Sequence, residues 1–195
     1  AESGGYGLDA QWNDDFHHIA RAVLTGHNEA YCMDYRGSPQ EFVSAIKYGY
    51  LYQGQWYLWQ KKPRGSATFD LPHAAFVHYI QNHDQIANSA LGLRCHALSS
   101  PGRYRTMTAL LLLAPATPML FQGQEFAASA PFRFFADFSP EMAALVREGR
   151  AKFLSQFPSI ASPEMIARLS DPTDAHTFEQ CKLDHAERAS HAEAY

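Results

Sequence analysis

The chain has 195 residues, of which 46% are hydrophobic and 18% charged, and its formal net charge is −4. This composition excludes a disordered chain and predicts a sizeable core, and the length suits one ordinary domain rather than two large ones. Because the charge is slightly acidic and no basic cluster occurs, we expect no nucleic-acid partner.

The cysteines and the apolar runs indicate a cytoplasmic protein. Cys32, Cys95 and Cys181 form no CxxC pair and no even set, which favours a reducing compartment. No signal-peptide pattern is visible, and the longest apolar run, residues 109–116, is too short to cross a bilayer. We therefore expect no membrane partner.

In chain order, Gly7 to Trp12 is a candidate strand. Asn13 then has the character of a helix cap, with carboxylates at Asp14 and Asp15 in the first turn and Gly26 at the end. A second helix begins at Ser38-Pro39-Gln40-Glu41, where Ser38 and Glu41 can form a capping box.

The second half of the chain alternates in the same way. Residues 53–69 are loop-like, and Ala74 to Ile80 forms a compact β-type run. Pro101 to Pro115 predicts a buried helix, and Pro118 to Phe121 a short strand. Further helices begin at Ser139-Pro140-Glu141, Ser162-Pro163-Glu164 and near Asp184.

The order of strands and helices predicts an α/β fold. Apolar strands that alternate with helices favour a parallel sheet covered on both faces. Polar clusters follow the strands, and the loops after the strands form the active site of a (β/α)8 barrel. We therefore expect three polar clusters to meet on one face.

The sharpest cluster is Tyr79-Ile80-Gln81-Asn82-His83-Asp84-Gln85. Asp84 is a candidate catalytic carboxylate, with Asn82 and His83 donating hydrogen bonds to substrate hydroxyls. The alternative is a polar loop in which Asp84 caps the next helix. A metal site is not expected, because the spacing of His78, His83 and Asp84 matches no common one.

Two further clusters follow the other strands. An ordinary helix start explains Asn13 and Asp14, but it explains less well why Trp12, His17 and His18 crowd there. In the third cluster, Gln122 to Phe126, Glu125 either binds sugar hydroxyls or holds neighbouring loops, and the alternative is a solvated acid in a turn.

These clusters carry a family resemblance. Asn82-His83-Asp84 resembles the last conserved active-site region of α-amylase-type glycosidases. Residues 4–18, 79–85 and 120–126 resemble the corresponding stretches of maltooligosyltrehalose trehalohydrolases, and residues 178–190 resemble the segment leading out of that family's barrel. The stretch 4–18 is much more specific than the triplet, and the similarity covers nearly the whole chain.

The resemblance implies a fold and an activity. Residues 1–195 would form the C-terminal half of a (β/α)8 TIM-barrel domain, approximately strands 6 to 8 with their helices, truncated at both ends. The family hydrolyses the α-1,4 bond next to the trehalose end of maltooligosyltrehalose. The sequence gives no sign of a required cofactor. Asp84 would be the third catalytic carboxylate, which stabilises the transition state. The substrate-side residues would be Tyr6, Trp12, Asp14, His17, His18, Asn82, His83, Gln85 and Glu125.

The departures from the family pattern matter as much. No segment matches the nucleophile motif, and Ala1-Glu2-Ser3 resembles only the start of the general-acid motif. Glu2 is thus either the acid behind a shortened loop or an unrelated residue. At Asn88-Ser89-Ala90 the usual Asn-Arg pair is missing, so a substrate contact there is expected to be lost.

Since the catalytic carboxylates act as a unit, we expect this chain alone to be inactive. Two alternatives remain. One is another α-amylase-type enzyme, such as a branching enzyme or an amylase. The other is a non-catalytic sugar-binding remnant.

Overall fold

The computed structural model describes residues 7–190. These residues form two compact units, residues 7–80 with 99–120 and residues 81–98 with 121–190. Within the described part, the regular elements are β1 (Gln11–Trp12), α1 (Asp14–Thr25), α2 (Pro39–Tyr48), β2 (Trp56–Tyr57), β3 (Lys62–Pro63), β4 (Phe76–His78), α3 (His83–Ala87), α4 (Pro101–Leu113), β5 (Thr117–Pro118), α5 (Pro140–Leu154), α6 (Pro163–Ile166), α7 (Ala175–Glu179) and α8 (Glu187–Ser190).

A small parallel sheet organises the first unit. Its order is β1-β4-β5, with Trp12 aligned with Val77 and His78 aligned with Pro118. The predicted parallel pairing is therefore confirmed. The strands are shorter than expected, and both residues of β1 and of β5 are exposed, so the described sheet is not covered on both faces.

Local signals set the bounds of α1 and α2. The Asn13 side chain accepts a hydrogen bond from the Phe16 amide, and Gly26 ends α1 in the left-handed region at φ 73°. At α2 both arms of the Ser38–Glu41 capping box are present. Both helix starts are as predicted.

An aromatic-rich core lies beside these helices. Ile19, Cys32, Tyr35, Ala45 and Tyr57 are buried together. Tyr57 belongs to a short antiparallel hairpin, β2–β3, within the segment that the sequence predicts as a loop. Aromatic side chains thus attach this segment to the unit.

The prediction of a buried helix at residues 101–115 is wrong in its burial. Helix α4 has nearly the expected bounds, but only Tyr104, Met107 and Leu111 are buried. Leu113 is 84% exposed. The apolar residues of α4 are spread around the helix, so one stripe at i, i+3 and i+7 packs inward while the others face out.

The second unit is mainly helical. Its longest helix, α5, is capped by Ser139, and the short α6 is capped by Ser162, as predicted. Only residues 187–190 of the helix expected from Asp184 onward are helical, and residues 191–195 lie outside the described part. None of the helices in residues 7–190 is long and apolar enough to cross a membrane.

Candidate functional site

Four predicted site residues of the first unit come together at the end of β1. We call Trp12, Asp14, His17 and His18, together with Tyr79, the β1 cluster. The Tyr79 hydroxyl donates a hydrogen bond to the Asp14 carboxylate. The Tyr79 ring is stacked on His17 at 5.2 Å between ring centroids, and lies 5.7 Å from the Trp12 ring. Tyr79 therefore ties the residues after β4 to those after β1.

His17 is fully buried within this cluster. Its Nδ1 lies 2.6 Å from the Ile80 carbonyl oxygen, which can only accept, so Nδ1 carries a proton and donates it. Burial lowers the pKa of His17 to about 3, and Arg21 adds to the effect. At neutral pH His17 therefore contributes a neutral imidazole rather than a charge.

His18 is buried beside His17, close to two tyrosine rings. Its ring centroid lies 5.3 Å from that of Tyr31 and 4.8 Å from that of Tyr35. Burial lowers the pKa of His18 well below its usual value, and His17 lowers it further. In this structure both histidines pack against aromatic rings, and their contact with a substrate stays a prediction.

A second buried histidine contact supports the same strand ends. The Asn13 side chain donates to the Gly49 carbonyl at 2.7 Å and lies 3.1 Å from Nε2 of His78. The His78 ring is stacked on Phe16 at 4.4 Å, and burial lowers the pKa of His78 to about 4. Asn13 is thus a helix cap and also a link between three chain segments.

Asp15 is an important residue that the sequence indicates only as a helix-start carboxylate. Its side chain is buried and accepts hydrogen bonds from the Tyr35 hydroxyl at 2.5 Å and from the backbone amides of Leu51 and Tyr52 at 2.8 and 3.0 Å. Arg64 lies 3.5 Å away. Asp15 therefore anchors the segment after α2, and no local signal could reveal partners so distant in sequence.

The Asn82–Gln85 cluster lies in the second unit at the start of α3. The buried Asn82 side chain accepts hydrogen bonds from the amides of Asp84 and Gln85. Asn82, and not Asp84, therefore caps this helix, and the alternative of Asp84 as a cap is wrong. Asp84 and His83 stand exposed in the first turn.

The Asp84 carboxylate is held by the residue that directly follows α3. The Asn88 side-chain amide donates to Oδ1 of Asp84 at 2.7 Å, and Arg150 donates in turn to the Asn88 carbonyl oxygen at 3.1 Å. An exposed carboxylate fixed in this way can accept hydrogen bonds from the hydroxyls of a sugar.

Glu125 lies in a short turn of the second unit. It forms an ion pair with Arg188 at 3.7 Å, and both side chains are about half exposed. Such a pair contributes little stability, and it leaves Glu125 accessible to solvent. Glu2 and Tyr6, the remaining predicted site residues, lie outside the described part.

No group of three or more His, Cys, Asp or Glu side chains that could hold a metal ion occurs within residues 7–190. The β1 cluster belongs to the first unit, and the clusters at residues 82–85 and 122–126 belong to the second. That all three polar clusters meet on one face therefore stays a prediction.

Comparison with known proteins finds similar sequences. No family model matches the chain. It is 41% identical over 183 residues to the malto-oligosyltrehalose trehalohydrolases of Deinococcus radiodurans and of Saccharolobus solfataricus. Each match covers 93% of this chain and 30% of the relative. The chain is homologous to the malto-oligosyltrehalose trehalohydrolases.

More distant trehalohydrolases agree with this. The Mycobacterium tuberculosis protein is 35% identical over 190 residues, which is 96% of this chain and 32% of the relative. The chain thus spans about a third of the length of the trehalohydrolases that it matches.

A solved structure shares the fold. The crystal structure of a Salmonella typhimurium protein, provisionally assigned as an alpha amylase, matches with a TM-score of 0.84 at 36% identity. The match covers 96% of this chain and 32% of that one.

Proposed function

We propose that the protein carrying this chain is a glycoside hydrolase that cleaves the α-1,4 bond next to the trehalose end of maltooligosyltrehalose and releases trehalose. The observation that carries this proposal is the exposed, hydrogen-bonded carboxylate of Asp84 in an Asn82-His83-Asp84 sequence. The identity of 41% to proteins named trehalohydrolases supports this substrate class.

Asp84 is the group that stabilises the transition state. Glycoside hydrolysis passes through an oxocarbenium-like state, and hydrogen bonds to the sugar hydroxyls that strengthen in that state lower the barrier. The exposed Asp84 carboxylate can accept such bonds. His83 is the neighbour of Asp84 in the first turn of α3, and we propose that it binds the same sugar.

The remaining substrate-side residues divide into two groups. Trp12 is 44% exposed and offers a flat apolar face for a sugar ring. Asp14, His17, His18, Asn82, Gln85 and Glu125 complete the set proposed within the described residues. Three members of this set, His17, His18 and Asn82, are buried. We propose that they act indirectly, by holding the backbone that carries the exposed members.

We further propose that β1, β4 and β5 correspond approximately to strands 6 to 8 of a (β/α)8 barrel, and that the protein works in the cytoplasm. The parallel order of these strands supports the barrel, as does the TM-score of 0.84 to the alpha-amylase-like structure.

A second candidate is an alpha amylase that acts on unmodified α-glucans. The Salmonella typhimurium structure favours it, because its provisional assignment is to an alpha amylase. The products distinguish the two candidates, since only the trehalohydrolase yields free trehalose.

The test uses the polypeptide encoded by the complete reading frame that contains this sequence. It is incubated with maltooligosyltrehalose and, separately, with a maltooligosaccharide of equal length, and the products are separated by chromatography. Trehalose from the first substrate supports the proposal. Maltose or glucose from both substrates, without trehalose, supports the amylase, and no cleavage of either removes both. The 195-residue chain assayed alone tests the expectation that it is inactive.

A further inference from the structure

We propose that Arg150 is a positioning residue that orients the Asp84 carboxylate through the side-chain amide of Asn88. This inference rests on the proposed function, because it assigns a supporting partner to the carboxylate proposed to stabilise the transition state. All three residues lie in the second unit.

The contacts form a chain with a single direction. A guanidinium only donates hydrogen bonds and a carboxylate only accepts them. Arg150 donates to Oδ1 of Asn88 at 3.1 Å, so the Asn88 carbonyl must face Arg150. The amide nitrogen then faces Asp84, to which it donates at 2.7 Å. The Asn88 amide could otherwise adopt either of two orientations. The Arg150 donor on one side and the Asp84 acceptor on the other fix one of them.

Arg150 also holds the end of the helix that carries Asp84. A second guanidinium nitrogen donates to the Ala87 carbonyl at 2.9 Å, at the last residue of α3. Because α3 has only five residues, its own hydrogen bonds cannot keep it in place. The Asn82 side chain accepts hydrogen bonds from backbone amides in the first turn of α3, and Arg150 donates to a backbone carbonyl at its end.

The guanidinium itself is fixed. It lies 4.2 Å from the centroid of the Phe134 ring, and the side chain is half-buried. Burial lowers the pKa of Arg150, and the nearby negative charge of Asp84 acts in the opposite direction. Arg150 remains charged at all working pH values.

The expected result follows from the role of Asp84. A group that acts in the transition state affects kcat more than KM when its geometry is disturbed. Arg150→Gln in the complete polypeptide should lower kcat for trehalose release by about 10- to 100-fold, while KM changes less than about twofold. Arg150→Lys, which keeps the charge but not the two-pronged geometry, should lie between the wild type and Arg150→Gln.

The matched control is Arg147→Gln. Arg147 lies one turn earlier on α5, and its partner is the exposed Asp171 at 3.0 Å. Its kcat should equal that of the wild type. Because the Asn88 side chain is one of the two contacts through which Arg150 acts, the double variant Arg150→Gln/Asn88→Ala should lose less kcat than the product of the two single losses. An unchanged kcat in Arg150→Gln, or multiplicative losses in the double variant, would overturn the inference.

Crystal structures of the wild type and Arg150→Gln separate this inference from the proposed function. We expect the Asn88 amide to leave Asp84 in the variant. If the wild type releases no trehalose, the proposed function fails, and the crystal structures still decide whether Arg150 positions Asp84. An unmoved Asn88 amide contradicts the inference whatever the activity.

Discussion

Replacing Asp15 by Asn should destabilise the first unit strongly. Asp15 accepts from the Tyr35 hydroxyl on one oxygen and from the amides of Leu51 and Tyr52 on the other, and Arg64 lies 3.5 Å away. An amide has only one oxygen, so it either loses both backbone donors or places its own NH2 group toward the Arg64 cation. Removing one partner of a buried charge pair costs about 3–5 kcal/mol. Since the Arg64 side chain is 25% exposed, we expect a loss of about 3 kcal/mol.

Urea denaturation of the 195-residue chain measures this loss. The three tryptophans, Trp12, Trp56 and Trp59, all belong to the first unit, so their fluorescence reports its unfolding. Asp70→Asn, at an exposed carboxylate, is the control and should change the free energy of unfolding by less than about 0.5 kcal/mol. If Asp15→Asn is no more destabilising than this control, the anchoring role of Asp15 is refuted.

Three further predictions concern other buried groups of the first unit. Because the pKa of His17 is lowered from 6.5 to about 3, the unfolded chain binds more protons than the folded chain below pH 6.5. The contribution of His17 to the free energy of unfolding is therefore complete above pH 6.5 and declines between pH 6.5 and about 3. Urea midpoints that stay constant from pH 7.5 to 4.5 would contradict this. Gly49→Ala should lower the free energy of unfolding by about 1–3 kcal/mol more than Gly54→Ala in the same denaturation assay. Both glycines have positive φ, but only at Gly49 would a new Cβ meet the Phe76 ring, at 2.4 Å. Burial raises the pKa of the Cys32 thiol to about 12. Iodoacetamide at pH 8, followed by mass spectrometry, should therefore leave Cys32 unmodified in the folded chain and alkylate it in urea. Rapid alkylation of Cys32 in the folded chain would contradict this.

The sequence predicts features that depend on neighbouring residues. Asn13 and Gly26 bound α1 as expected, and the Ser38–Glu41 capping box starts α2. These signals satisfy the free backbone groups at a helix end within a few residues of the chain, so they can be identified without the fold.

Features that depend on distant residues could not be predicted in this way. The partners of Asp15 lie about 20 to 50 residues away, and Arg150 reaches Asn88 across 62 residues. Helix α4 was placed correctly, but its burial was wrong because burial depends on what packs against each face. The sequence identifies Asp84 as a candidate; what holds its carboxylate becomes visible only in the structure.

The most direct test of the central claim is the kcat of Asp84→Asn for trehalose release, in the polypeptide encoded by the complete reading frame. The substitution preserves shape and removes the charge that is proposed to stabilise the transition state. We predict a fall of about 100- to 1,000-fold or more with an unchanged melting temperature. A variant that releases trehalose at the wild-type rate would contradict the catalytic role of Asp84.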